Sequence, residues 1–317
     1  MLEVLASGIW QLADVANTVN IVNKDSASSV SSSDRQPSIS TLGALQILTG
    51  EGKVATHGGT PPALSQCIAK WRHLPVVDIG THDGSDYTIP AALCGHRVYS
   101  YEPTEHKYDS IIRTLDEKKI LHTEDSTSFI RAKPGTVLFR KALAVSDRSG
   151  WAMFSYTPPG KALGVANSLN RGALPPRQAH IARQANVTLV SLDEDLATEE
   201  NGVYMIKIDA QGNELNVLLG ARRYISTHPV PLILLEYNAK GLAAAKASGL
   251  ELLQMLTVEL GYTCFDMRVK DDPKANTPKK NGPLPLDAFV RKYSGHFSSN
   301  NGYGPETDLQ CIRFDLL

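Results

Sequence analysis

Four carboxylates stand at the ends of short apolar runs: Asp78 beyond Val76 and Val77, Glu102 beyond Arg97 to Tyr101, Asp209 beyond Met205 to Ile208, and Glu236 beyond Pro231 to Leu235. In an open parallel sheet, ligands bind outside the carboxyl ends of the strands, so all four acids point towards one edge. Ionised carboxylates accept hydrogen bonds, take protons and hold cations. The first acid is followed by Gly80 and, after Thr81, His82 and Asp83, by Gly84. That order predicts a strand, a tight turn and a helix start. Glycine suits a sharp turn or a close approach of backbone to ligand, and the helix beyond it offers unpaired N–H groups. Glu102 lies roughly 20 positions past the first glycine, where a ribose-binding acid sits in nucleotide-binding βαβ units.

A nicotinamide fingerprint reads G-x-G-x-x-G, whereas this turn reads D-x-G-x-x-x-G with the acid before the first glycine. An ordinary strand-to-helix turn is the plain alternative, and the two acids at successive strand ends weigh against it. His82 is a candidate base, since its unperturbed pKa lies near neutrality, or a polar residue of the turn. Asp209, Glu236 and Asn238 offer oxygen ligands of the kind magnesium accepts. The site is nonetheless expected to work without a metal.

These residues need a sheet and crossover helices to hold them. With 317 residues and 42% hydrophobic content, the chain can bury one large α/β core. The spacing predicts a helix over Pro62–Arg72, a first crossover helix carrying Ile89, Ala92 and Leu93, and a second over Glu105–Leu115. Val137–Val145 and Trp151–Tyr156 read as a hairpin around the turn Ser146–Gly150. Residues 157–186, broken by Pro158, Pro159, Pro175 and Pro176, read as a loop that lines the acceptor site or as a plain insertion. Towards the C-terminus the pattern predicts a helix through Leu250, Leu253, Leu256 and Leu260, a strand Tyr262–Val269, a long mobile connection 270–306 and a last strand Gln310–Leu316.

Residues 1–20 carry an amphipathic apolar stripe, and the serine-rich stretch 24–41 reads as a flexible linker, so a domain 42–317 is expected behind a separate segment 1–41. No signal peptide or spanning segment is evident, which predicts a cytoplasmic protein. The net charge of −1, from 32 basic and 33 acidic residues, suggests neither nucleic acid nor anionic membrane as a partner. The four cysteines, Cys67, Cys94, Cys264 and Cys311, form no C-x-x-C pair and read as scattered core thiols of a reduced compartment.

Taken in order, V-V-D-I-G-T-H-D-G, Y-E-P, K-A-L-A-V-S-D-R-S-G, V-S-L-D-E-D-L, I-K-I-D-A-Q-G-N-E-L-N-V-L-L-G-A and L-L-E-Y resemble the FkbM-type S-adenosylmethionine-dependent methyltransferases, over about residues 74–237. The resemblance implies a three-layer α/β/α, Rossmann-like class I methyltransferase fold, with a mostly parallel sheet and a final antiparallel strand inserted beside its predecessor. It also implies S-adenosylmethionine as cofactor and a hydroxyl group, of a small molecule or carbohydrate, as acceptor. Asp78, Gly80, Thr81, Gly84 and Glu102 then correspond to cofactor positions and Asp209 to the acid near the transferred methyl, where it is a base, an orienter of the acceptor or a contact to the cofactor's amino group; Glu236 and His82 are further catalytic candidates from their own positions. Members commonly carry Glu where Gln211 stands, and Ala and Asn where His82 and Asp83 stand. A cofactor-binding module without turnover and a nicotinamide-dependent oxidoreductase are the alternatives. The oligomeric state is left open.

Overall fold

The computed structural model describes residues 71–158, 168–169, 174, 179, 181–266, 286–294 and 306–316. The expectations for residues 1–41, for nearly all of Pro62–Arg72, and for Cys67 lie outside them. The chain divides into two units, Met1–Leu48 and Thr49–Leu317, and every described residue belongs to the second.

Among the described residues the strands are β1 (Val76–Ile79), β2 (Val98–Glu102), β3 (His122–Thr123), β4 (Val137–Lys141), β5 (Leu143–Val145), β6 (Gly150–Tyr156), β7 (Arg183–Val190), β8 (Met205–Ile208), β9 (Leu232–Asn238), β10 (Thr263–Asp266) and β11 (Glu306–Ile312). The helices are α1 (Thr88–Leu93), α2 (Glu105–Glu117), α3 (Ser126–Phe129), α4 (Leu192–Asp195), α5 (Glu214–Thr227), α6 (Ala239–Ala244), α7 (Gly249–Gln254, continued by a π turn Met255–Glu259) and α8 (Leu286–Ser294). Strands β1, β2 and β8 are buried at every position, so their apolar residues do not alternate with exposed ones.

Eight strands form one sheet in the order β10-β11-β9-β8-β1-β2-β4-β3. Every pair is parallel except the two that β11 makes, with β9 and with β10. The last strand is thus inserted, antiparallel, between β9 and β10, and this is the Rossmann-like class I arrangement. Strand order reverses between β1 and β8, so the crossovers on either side, right-handed as such connections are, put helices on both faces. The carboxyl ends of β1 and β8 meet at that switch point.

Three expectations are corrected. The predicted hairpin does not form: Ala142, with φ of 55°, breaks the run into β4, which stays in the main sheet, and β5, which leaves it. β5 and β6 do not pair with each other; β7 lies between them, parallel to β5 and antiparallel to β6, in a second sheet where Val187 and Leu189 of β7 pack with Ala144 and Phe154. A long-range partner displaced the local one. The stretch 270–306 contains helix α8, whose Phe289 and Tyr293 lie edge-on to Tyr237 at 4.9 and 5.8 Å between ring centroids, while the Tyr293 hydroxyl donates to Asp266 at 2.7 Å. The closing strand, β11, begins at Glu306, earlier than expected, and stops at Ile312 before a short 3-10 turn, Phe314–Leu316.

Among the described residues the cysteines are not thiols. Cys264 and Cys311 face each other in the β10–β11 register, with Cα atoms 4.0 Å apart, and form a disulfide across 47 positions of sequence. Cys94 is also disulfide-bonded, and no cysteine among the described residues is free. Structural disulfides persist mainly in oxidising compartments, so the cytoplasmic expectation loses the support it drew from core thiols. No helix among the described residues is long and apolar enough to cross a membrane.

Candidate active site

The site begins at the turn after β1. Gly80 and Gly84 both hold φ of 75°. A β-carbon on Gly80 would lie 2.0 Å from the carbonyl oxygen of Asp209, so only glycine lets the turn rest against the end of β8. The Gly80 and Thr81 N–H groups donate to the Tyr101 carbonyl, at 3.0 and 3.2 Å, and carry the parallel ladder past the end of β1. The Thr81 hydroxyl lies 2.8 Å from that of Ser100 and 3.1 Å from the Asp78 carbonyl, anchoring the turn from beneath.

Glu102 joins two loops. Its carboxylate accepts the His82 N–H at 2.9 Å through one oxygen and the Thr104 N–H at 2.8 Å through the other. It is 4% exposed. His82 sits in the left-handed region, with φ of 59°, and offers its backbone N–H to Glu102 while its ring stands 3.6 Å from Asp83. Pairing with His82 and hydrogen bonds from Ser85 hold the Asp83 carboxyl well below the usual carboxylate range.

Asp78 is turned inward. One oxygen accepts from the Thr88 N–H and hydroxyl, at 3.1 and 2.6 Å, and fixes the start of α1; the other faces the Lys207 ammonium at 3.3 Å. With 1% exposure it supports the turn from behind the cleft. Lys207, in the middle of β8, donates to the Ile79 and Gly80 carbonyls at 3.2 and 2.8 Å and lies 3.7 Å from Asp209. Burial works to lower its pKa, but the Asp78 and Asp209 carboxylates outweigh this and raise it. The lysine is therefore a fixed positive charge beneath the turn, and its ammonium also sits 5.4 Å from the centre of the Tyr87 ring.

Asp209 is the more open acid, with 37% of its side chain exposed. Its N–H donates to Ile79 at 3.1 Å. Gln211 donates from one nitrogen to Asp209 and to Glu236, each at 2.7 Å. Burial, then the charge of Asp209, push the Glu236 carboxyl well above its usual range. The Asn238 side-chain oxygen caps α6 by accepting the Gly241 N–H at 2.9 Å. Among the described residues no group of three or more His, Cys, Asp or Glu could hold a metal ion.

Behind this edge Glu214, wholly buried at the start of α5, accepts the Ala210 and Gly212 N–H groups at 3.2 and 2.9 Å and so shapes the loop that carries Gln211. Burial pushes its carboxyl up to about 7. The folded chain then binds this proton more tightly than the unfolded one, so stability from Glu214 is present below about pH 4 and is lost as pH rises to about 7. Glu214→Gln keeps an acceptor for both N–H groups and cannot ionise. It should flatten the pH dependence of melting over that interval and stabilise the protein at pH 8 by on the order of 3 kcal/mol. Parallel melting curves of the two proteins at every pH would contradict this.

The structure thus brings Gly80, Thr81, Gly84, Glu102, Asp209 and Glu236 to one edge, keeps Asp78 beneath it, and leaves the His82 ring at its rim. Lys207 was missed from sequence. Its signal was a lysine inside the buried run M-I-K-I, where an ammonium must find partners. Lys107 was missed as well: burial lowers its pKa against the opposing pull of Glu102 and Asp209, which puts it near both acids. Ser168, from the proline-broken stretch, donates to the Gln211 carbonyl at 2.7 Å.

A family model described as Methyltransferase FkbM domain matches residues 78–264, more than half the chain, and spans every acid of this edge from Asp78 to Glu236. No curated protein matches. Among solved structures, precorrin-6y C5,15-methyltransferase from Geobacter metallireducens GS-15 is 14% identical, covering 84% of this chain and 95% of that one with a TM-score of 0.34. The YcgJ protein from Bacillus subtilis is 10% identical, covering 79% and 97%, also with a TM-score of 0.34.

Proposed function

The chain belongs to the FkbM methyltransferase family, and from that premise we propose that it moves a methyl group from S-adenosylmethionine to a hydroxyl oxygen of a small molecule or carbohydrate. The observation that carries the reading is Asp209: a partly exposed carboxylate at the switch point, against the Gly80 turn, held between Lys207 and Gln211.

The edge fits the cofactor. Glu102 uses one lone pair on each oxygen for the two loops, and a carboxylate has about four acceptor positions, so two are left for a pair of ribose hydroxyls. Gly80, Thr81 and Gly84 form the turn against which the methionine end would lie, while Asp78 and Lys207 hold that turn in place. S-adenosylmethionine supplies a methyl group on a positively charged sulfur.

The chain must then bring an acceptor oxygen to ~3–3.5 Å from that carbon and take up its proton. Asp209 is the residue that would take that proton, with S-adenosylmethionine, held by the Gly80 turn and Glu102, supplying the methyl group. Lys207 stands 3.7 Å from the Asp209 carboxylate. The competing reading, a binding module without turnover, rests on Gln211 standing where an acid is usual; its bonds to both Asp209 and Glu236 favour an assembled site.

Melting curves with S-adenosylmethionine and with NAD⁺ test the cofactor. At 100 times the dissociation constant, a bound ligand adds ~2.7 kcal/mol of stability, a rise of several degrees. A rise with S-adenosylmethionine alone is expected; a rise with NAD⁺ alone would overturn the reading.

A further inference from the structure

We propose that Gln211 is a positioning residue whose carboxamide does the work of a cation, holding the Asp209 and Glu236 carboxylates together through the two hydrogens of one nitrogen. That nitrogen lies 2.7 Å from Asp209 Oδ1 and 2.7 Å from Glu236 Oε2. With the amide nitrogen between the two acids, one hydrogen can go to each. Two acids gathered around one atom are often held by a shared proton or a metal ion. An amide nitrogen supplies two donors, so Gln211 keeps both acids aimed into the edge.

The backbone around Gln211 is built for this reach. Gln211 holds φ of 49°, a left-handed conformation that a non-glycine residue adopts only when its surroundings impose it. The next residue, Gly212, has φ of 99°, and a β-carbon there would come 2.5 Å from the Gly241 carbonyl oxygen, so the loop is pressed against the start of α6. Glu214 ties down the N–H groups of Ala210 and Gly212 on either side of Gln211, and Ser168 donates to the Gln211 carbonyl. With its neighbours and its own carbonyl fixed, the backbone of Gln211 is held where its side chain reaches both acids.

The role in turnover, aiming Asp209 at the acceptor, rests on the methyl-transfer reading; the clamp itself does not. Gln211→Glu puts a third carboxylate between the two. Charged or titratable groups around them are Lys207 on β8, Lys107 on α2, Glu214 on α5, Glu306 and Asp308 on β11, and the phenol of Tyr87. Two cations cannot neutralise the added acid together with those already present, so the variant must bind an extra proton or a divalent ion in the folded state.

The test uses the full chain and two variants, Gln211→Glu and Gln211→Met, the second removing the donors without adding charge. Melting is followed from about pH 5 to about pH 8, with EDTA or with magnesium chloride. The folded Gln211→Glu protein takes up a proton that the unfolded chain lacks, so its melting temperature should fall below the wild type by several degrees as pH rises, and magnesium should restore it. The wild type should be indifferent to magnesium. Gln211→Met should bind S-adenosylmethionine within about threefold of the wild type yet lose about tenfold or more in methyl label passed to a cell extract. The proposal is overturned if Gln211→Glu melts like the wild type at every pH, or if magnesium stabilises the wild type as much as the variant. Should Gln211→Glu prove insoluble, Gln211→Met decides: wild-type incorporation of label overturns the clamp. The melting arm needs no turnover, so a wild type that transfers no label would count against methyl transfer and leave the clamp to be judged on melting.

Discussion

Asp209→Asn is expected to fold, to bind S-adenosylmethionine as the wild type does, and to transfer methyl label ~100-fold more slowly or worse, the scale of a lost general base. The substitution keeps the shape of the side chain and an oxygen that can accept from Gln211. Lys207 loses one carboxylate neighbour at 3.7 Å but keeps Asp78 at 3.3 Å and two carbonyls, so its charge stays compensated and the fold should survive. What disappears is the ability to accept a proton. Labelled cofactor, a cell extract and a calorimetric titration separate the two effects. Turnover at the wild-type rate would remove Asp209 from the chemistry.

Glu102→Ala should act on binding and on stability together. The carboxylate is buried and accepts two backbone N–H groups from two different loops, at 2.9 and 2.8 Å. Charge-assisted bonds of this kind are worth ~1.5–3 kcal/mol each, and removing the carboxylate takes both of them away. We expect S-adenosylmethionine affinity to fall by about an order of magnitude or more, with a melting temperature lower by several degrees. Unchanged affinity in calorimetry would take Glu102 out of the cofactor site, whatever happened to the melting temperature.

Much of this edge was legible because the central strands are buried on both faces. Continuous apolar runs, each ended by an acid or a glycine, announce parallel strands and mark their carboxyl ends, and so Gly80, Glu102, Asp209 and Glu236 could be assigned to one edge without coordinates. What the pattern does not carry is direction. Asp78 and Asp209 look alike in sequence, yet one turns inward to Thr88 and Lys207 while the other stays open. The inward turn of Asp78 is fixed by Thr88 and by Lys207, the latter from a strand more than a hundred residues later. Pairings of long sequence separation were missed for the same reason. Nothing local to Trp151–Tyr156 announces β7 as its partner in place of the preceding strand, and nothing local to Cys264 announces Cys311. Helix α8 was hidden by a lysine-, proline- and asparagine-rich surrounding whose composition dominates a window average, although Phe289 and Tyr293, one helical turn apart, mark its buried side.

The most direct test of the central claim is mass spectrometry of a cell extract incubated with the full chain and methyl-labelled S-adenosylmethionine, followed by fragmentation of whatever acquires the label. Transfer to a hydroxyl oxygen, lost in Asp209→Asn, is the predicted result. Label on nitrogen or carbon, or no label from a protein that binds the cofactor, would contradict it.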